Sequence, residues 1–164
     1  FHLVVNKIVK IEAKHLQATL INNYNRLFKY IYLREGWIQS SISFKMNLLS
    51  DCISSNNIDG FTFIFDFIKD TISEKKFNKL LFDRNDNFYN GKTDIIYHLV
   101  NNYLKYIDKK STLLGICITN GIGENTMIQL VENMFHFNEE DMKLVLENQQ
   151  FALLEKMCRV VQQK

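Results

Sequence analysis

The stretch that decides the fold is Thr112–Phe135, TLLGICITNGIGENTMIQLVENMF. It opens on Leu113-Leu114, runs through small and apolar residues to Asn120-Gly121, turns, and resumes with Met127, Val131 and Phe135 at helical spacing. The pattern predicts two short helices joined by a tight turn. A lone hairpin of this kind cannot bury its apolar face, so the rest of the chain has to supply partners.

It does so at a nearly fixed interval. Leu-Leu pairs fall at Leu48-Leu49, Leu80-Leu81 and Leu113-Leu114, spaced 32 and 33 apart. Ile64, Ile96 and Met127 keep that period, as do Ile68, Val100 and Val131, and Ile72, Leu104 and Phe135. Residues 16–35 split the same way, with Leu16 and Leu20 before Asn22-Asn23, Leu27, Tyr30 and Ile31 after, and Gly36 placed to stop the second helix. Leu144–Leu146 and Leu153–Val161 make a last pair around Asn148-Gln149-Gln150. The run Phe61–Phe67 partly alternates apolar and polar, which leaves a strand open there, but its flanks favour a helix. Thr93 or Asp94 is the expected N-cap of the helix through Tyr103.

Composition agrees with helices. The 164 residues include no proline and six glycines, too few breakers for a turn-rich sandwich or barrel, and 46% apolar residues give ample core. The fold expected is all-α: a single domain over 1–164 of stacked helix-turn-helix units. A leading or capping helix at 1–15 precedes units at 16–45, 46–76, 77–110, 111–141 and 142–164.

Residue detail resembles the ankyrin-repeat family. Thr112-Leu113-Leu114-Gly115-Ile116-Cys117-Ile118-Thr119-Asn120-Gly121 is similar to that family's opening run T-P-L-H-L-A-A-x-x-G, with Leu113 for Pro and Gly115 for His. Cys117, and Cys52 in its own unit, stand where the family has alanine. Leu16–Trp37 is similar to a full helix-turn-helix, and Val145–Cys158 to a truncated last one. No unit carries the T-P-L-H signature, and turns lengthened at Asn57–Phe61, Asn85–Lys92 and Gly121–Asn125 are expected, which puts regular β-hairpin fingers in doubt. The resemblance implies an ankyrin-like solenoid of about five degenerate units that serves protein–protein recognition. An irregular helical bundle, as the accessory domain of a larger enzyme or effector, is the alternative.

The net charge of +2 suggests no nucleic acid as partner, and no apolar run approaches a membrane span. Charge is uneven. Residues 1–50 hold seven Lys/Arg against two Asp/Glu, and 112–164 hold four against seven. Three scattered cysteines, Cys52, Cys117 and Cys158, read as reduced, packed thiols of an intracellular, cytoplasmic protein. Sixteen lysines against four arginines, with abundant Asn, Ile, Phe and Tyr, are the usage of an AT-rich genome. With the resemblance, this points to an amoebal protein or to an effector of an intracellular bacterium, whose place would be the host cytosol.

Chemistry is sparse. Cys52 or Cys117 with His98 and Asp94 would be needed for nucleophilic catalysis, but the cysteines recur at equivalent unit positions, which packing explains. His2, His15, His98 and His136 lack ligand spacing. Glu139-Glu140-Asp141 reads as the acidic start of a helix. FDRNDNFYNGKTD lacks the alternation and closing Glu of a calcium loop, and Gly121-Ile122-Gly123 follows no strand. The expectation is no enzyme, no metal and no cofactor. The partner is another protein, met by loops and unit edges: Trp37 and Ser40, the pairs Lys75-Lys76 and Lys109-Lys110, and Gly123, Glu124 and Asn125. The sequence assigns neither the partner nor the oligomeric state.

Overall fold

The computed structural model describes residues 11–83 and 86–163. Contacts gather the chain into two compact units, 1–71 and 72–164. Among the described residues every regular element is helical and there is no strand. The expected helix at 1–15 falls mostly outside the described residues, and only its end, Ala13–His15, is seen, inside the first helix.

The first unit holds two hairpins, α1 (Ala13–Ile21) with α2 (Asn25–Arg34), and α3 (Ile42–Ser54) with α4 (Ile58–Asp66). Besides the contacts within each hairpin, α1 packs on α3 and α2 packs on α4. First helices therefore lie on first helices and second on second. The α1–α3 seam is aliphatic, with Leu16, Leu20, Leu48, Leu49, Cys52 and Ile53 fully buried. The α2–α4 seam is aromatic: Phe63 meets Phe28 edge-on at 5.8 Å and Tyr32 at 5.6 Å, and Tyr32 meets Phe67 at 5.4 Å. Such pairs add roughly 0.5–1.5 kcal/mol each beyond burial.

The second unit holds α5 (Glu74–Phe82), α6 (Thr93–Tyr103), α7 (Leu113–Thr119), α8 (Glu124–Glu132), α9 (Glu139–Glu147) and α10 (Phe151–Gln162). Its last two hairpins repeat the plan, α7 packing on α9 and α8 on α10. Both seams are apolar. Leu113, Leu114, Cys117, Ile118 and Val145 are buried in one, and Met127, Leu130, Val131, Leu153 and Met157 in the other.

One turn serves four hairpins. Asn23, Asn56, Gly121 and Gln149 all take the left-handed conformation, with φ of 58°, 53°, 64° and 56°. In each, paired backbone bonds close the first helix: Tyr24 N donates to Thr19 O and Asn23 N to Leu20 O, and the pairs Asn57/Asn56, Ile122/Gly121 and Gln150/Gln149 do the same. This is the Schellman closure, which satisfies carbonyls that a helix end otherwise leaves bare.

The turns correct several expectations. α4 begins at Ile58, so the turn before it is as short as the one before α2, and the lengthening expected at Asn57–Phe61 is absent. The strand left open over Phe61–Phe67 is helix as far as Asp66. Before α8 the turn gains one residue, because Glu124 and Asn125 already belong to the helix. Only the third hairpin has a long insertion, where a 3-10 turn at Asp86–Tyr89 precedes Gly91 (φ 71°). The N-cap of α6 is Lys92, with Thr93 its first helical residue; neither Thr93 nor Asp94 is the cap.

Candidate functional site

Counting back from the left-handed residue aligns the first helices. Four residues back stand Thr19, Cys52, Cys117 and Val145, all buried. This is the small core position that the sequence attributes to packing, and the two cysteines are free thiols there. Burial pushes Cys117 up to about 12, and burial plus the neighbouring Asp51 carboxylate pushes Cys52 higher still. A thiol held protonated is a poor nucleophile. His98 lies in α6, where Asn102 Nδ2 approaches its Nδ1 at 3.1 Å and Tyr103 packs edge-on at 5.2 Å. Among the described residues no three His, Cys, Asp or Glu side chains are grouped to hold a metal, and no helix is long and apolar enough to cross a membrane.

Six and five residues back from the turn, the helices show their open face. In α7 these positions are Gly115 and Ile116, and here the second unit has a groove of about 410 Å³. Gly115, Ile116 and Thr119 of α7, with Thr112 at its N-cap, form its floor. Leu81, Phe82 and Tyr89 wall it on the α5 side, and Asn138, Glu140, Asp141 and Leu144 on the α9 side. Tyr89 is fixed by its hydroxyl, which donates to Leu81 O at 2.9 Å. Gly115 keeps the floor low: a Cβ there would lie 2.8 Å from Asp141 Oδ1.

The residues expected to meet a partner are scattered, and none lines this groove. Trp37 is half-buried and stacks on Phe44, ring centroids 5.2 Å apart, with its indole nitrogen shut off from solvent. Ser40 is half-buried nearby, in the loop that Lys45 Nζ pins by donating to Ile38 O at 2.7 Å. Lys75 and Lys76 are exposed in the first turn of α5, and Lys109 and Lys110 are exposed ahead of α7. Asn78 ties the two segments, donating to Tyr106 O at 2.9 Å and accepting from Asp108 N at 2.7 Å.

Gly123 and Glu124 are bound internally. Gly123 N donates to the Tyr97 hydroxyl at 2.7 Å, and Glu124 Oε1 accepts from Leu153 N at 3.1 Å, capping α10 from the preceding hairpin. Asn125 is exposed. Sequence reasoning passed over the groove because a glycine inside a helix and a two-helix separation leave no local signal. The clue present was Gly115, where the resemblance expects histidine.

Comparison with protein-family models, curated proteins and solved structures returns no match.

Proposed function

We propose that this chain is a protein–protein interaction module built from degenerate ankyrin-like hairpins, which takes its partner in the groove over α7 and performs no catalysis of its own. The observation that carries the reading is the shared stacking order within each unit, α1 on α3 with α2 on α4, and α7 on α9 with α8 on α10, each hairpin closed by the same left-handed turn. Stacking of this kind aligns first helices side by side and leaves their remaining face open as an extended binding surface. The groove is where that surface is deepest, and its floor mixes apolar with small polar groups as recognition sites do.

The test is affinity capture from a native lysate on the immobilised full chain, beside Thr119→Arg, which fills the groove from an exposed position. A partner retained by the parent and lost with Thr119→Arg is the expected result. Capture of the same proteins by both, or of none by either, rejects the reading.

A further inference from the structure

The groove has a charge character that its backbone does not require. Its α9 wall carries Glu140 and Asp141, and among the described residues no lysine or arginine lines it. Both acids lie in the first turn of α9, so helix capping is the alternative account. Capping uses only one of their four carboxylate oxygens: Asp141 Oδ2 accepts from Asn138 N at 2.9 Å, while Asn138 Oδ1 takes Asp141 N. Asp141 Oδ1 lies over Gly115, and neither it nor Glu140 bonds or pairs with any described residue. The helix end contributes about half a positive charge, against three carboxylates at Glu139, Glu140 and Asp141. The α9 wall therefore keeps a net negative charge, and beside it Leu81, Phe82 and Leu144 present apolar surface.

Resting on the interaction-module reading, we propose that the occupant of this groove is a basic, extended peptide segment of the partner, with lysine or arginine alternating with apolar residues. A long cationic side chain suits both halves of the site. Its aliphatic stem covers Ile116 and Leu144, and its head reaches the unused oxygens of Asp141 and Glu140. An acidic segment would meet two like charges that the helix end offsets only in part.

The test is fluorescence anisotropy on the full chain with two labelled peptides, Gly-Leu-Arg-Leu-Arg-Leu-Gly and its glutamate counterpart. Saturable binding of the basic peptide is expected, at least about tenfold tighter than the acidic one and weaker at about 300 mM than at about 50 mM salt. Glu140→Gln and Asp141→Asn each lower affinity about fivefold, Asp141→Asn keeping a cap acceptor, and Thr119→Arg abolishes binding. Glu35→Gln and Asp70→Asn, exposed acids of the other unit, change nothing. Absence of binding by the basic peptide overturns the inference, as does binding indifferent to Glu140, Asp141 and Thr119. If the acidic peptide binds equally well and Thr119→Arg still removes it, the basic occupant is rejected while the groove remains a protein-binding face.

Discussion

The two units solve the same packing problem with opposite chemistry at corresponding positions. Directly after the left-handed residue, the first unit's second hairpin has Asn57 and the second unit has Ile122, 2% and 1% exposed. Asn57 Nδ2 donates to Leu20 O at 2.9 Å and to Asn25 Oδ1 at 2.8 Å, and its Oδ1 accepts from Gly60 N at 2.9 Å. One amide thus caps α4 and stitches it to the hairpin before. Ile122 has no such capacity, and there the hairpins are tied by Glu124 on Leu153 N instead. The open faces differ as well. Gln17 and Asp51, in the six- and five-back positions of α1 and α3, close over that face with a bond of 3.0 Å. In α7 the six-back position is Gly115, and the face stays open. The lesson is that a hairpin can be tied by the residue after its turn or by an acid in the next helix, and that in α7 the missing side chain at Gly115 leaves the face open.

The largest effect is expected from removing the polar stitch. Asn57→Ala leaves Gly60 N buried without a partner and takes one donor each from Asn25 Oδ1 and from Leu20 O, which keeps its bond from Asn23 N, at a cost of about 3 kcal/mol. Trp37, the one tryptophan, belongs to the first unit, so its fluorescence during urea unfolding reads that unit. A shift below about 1 kcal/mol would mean that water replaces the amide. Ile122→Ala removes only apolar contact, and about 2–3 kcal/mol is expected from circular dichroism.

Next come the two helical glycines, which look alike in sequence. At Gly60 a Cβ would lie 2.6 Å from Leu20 Cδ2, 2.9 Å from Asn57 Nδ2 and 3.0 Å from Cys52 Sγ. Gly60→Ala overpacks a closed site and should cost about 2 kcal/mol. Gly115→Ala meets only the movable carboxylate of Asp141, and the helical gain of about 1 kcal/mol offsets the disturbed cap. Equal losses at both positions in thermal unfolding would show that α7 has no open face.

Much of the local architecture was legible and the site was not. The Leu-Leu pairs and the roughly 33-residue period located the first helices, and the burial of Leu48, Leu49, Leu113 and Leu114 follows from them. Turn lengths were misjudged at Asn57, since a polar run from Ser54 to Gly60 looks like a loop when read for composition alone. The structure spends those residues on a cap and a first helical turn, because Asn57 finds its partners 32 and 37 residues away. Glu124 is the same case, an apparently free loop acid whose partner is 29 residues on. Bonds between hairpins leave no mark in either helix taken alone, so any site formed between helices was out of reach.

Smaller per step is the alkaline response of the two buried thiols. Cys52 and Cys117 hold their protons more tightly folded than unfolded. The stability each contributes is complete below the ordinary thiol value of 9.0 and is lost as pH rises from there through about 12 for Cys117. For Cys52 the loss continues to higher pH. Each buried thiol contributes up to about 1.4 kcal/mol per pH unit in that window. Cys117→Ala should flatten the slope of stability above pH 9.0, and an unchanged slope would count against the burial argument.

The smallest effect sharpens the comparison at the turn itself. Gly121 and Gln149 hold the same left-handed conformation in neighbouring hairpins of one unit, yet only glycine adopts it without steric cost. A side chain there costs about 1 kcal/mol, less what glycine loses by being freer when unfolded. Gln149→Gly should therefore stabilise by about 0.5 kcal/mol, and Gly121→Ala should destabilise by about 1 kcal/mol. Both are exposed at the turn, so neither change disturbs packing, and circular-dichroism melting isolates the backbone. If Gln149→Gly instead destabilised the unit, the glutamine side chain would have to hold the turn, and the four turns would no longer be equivalent.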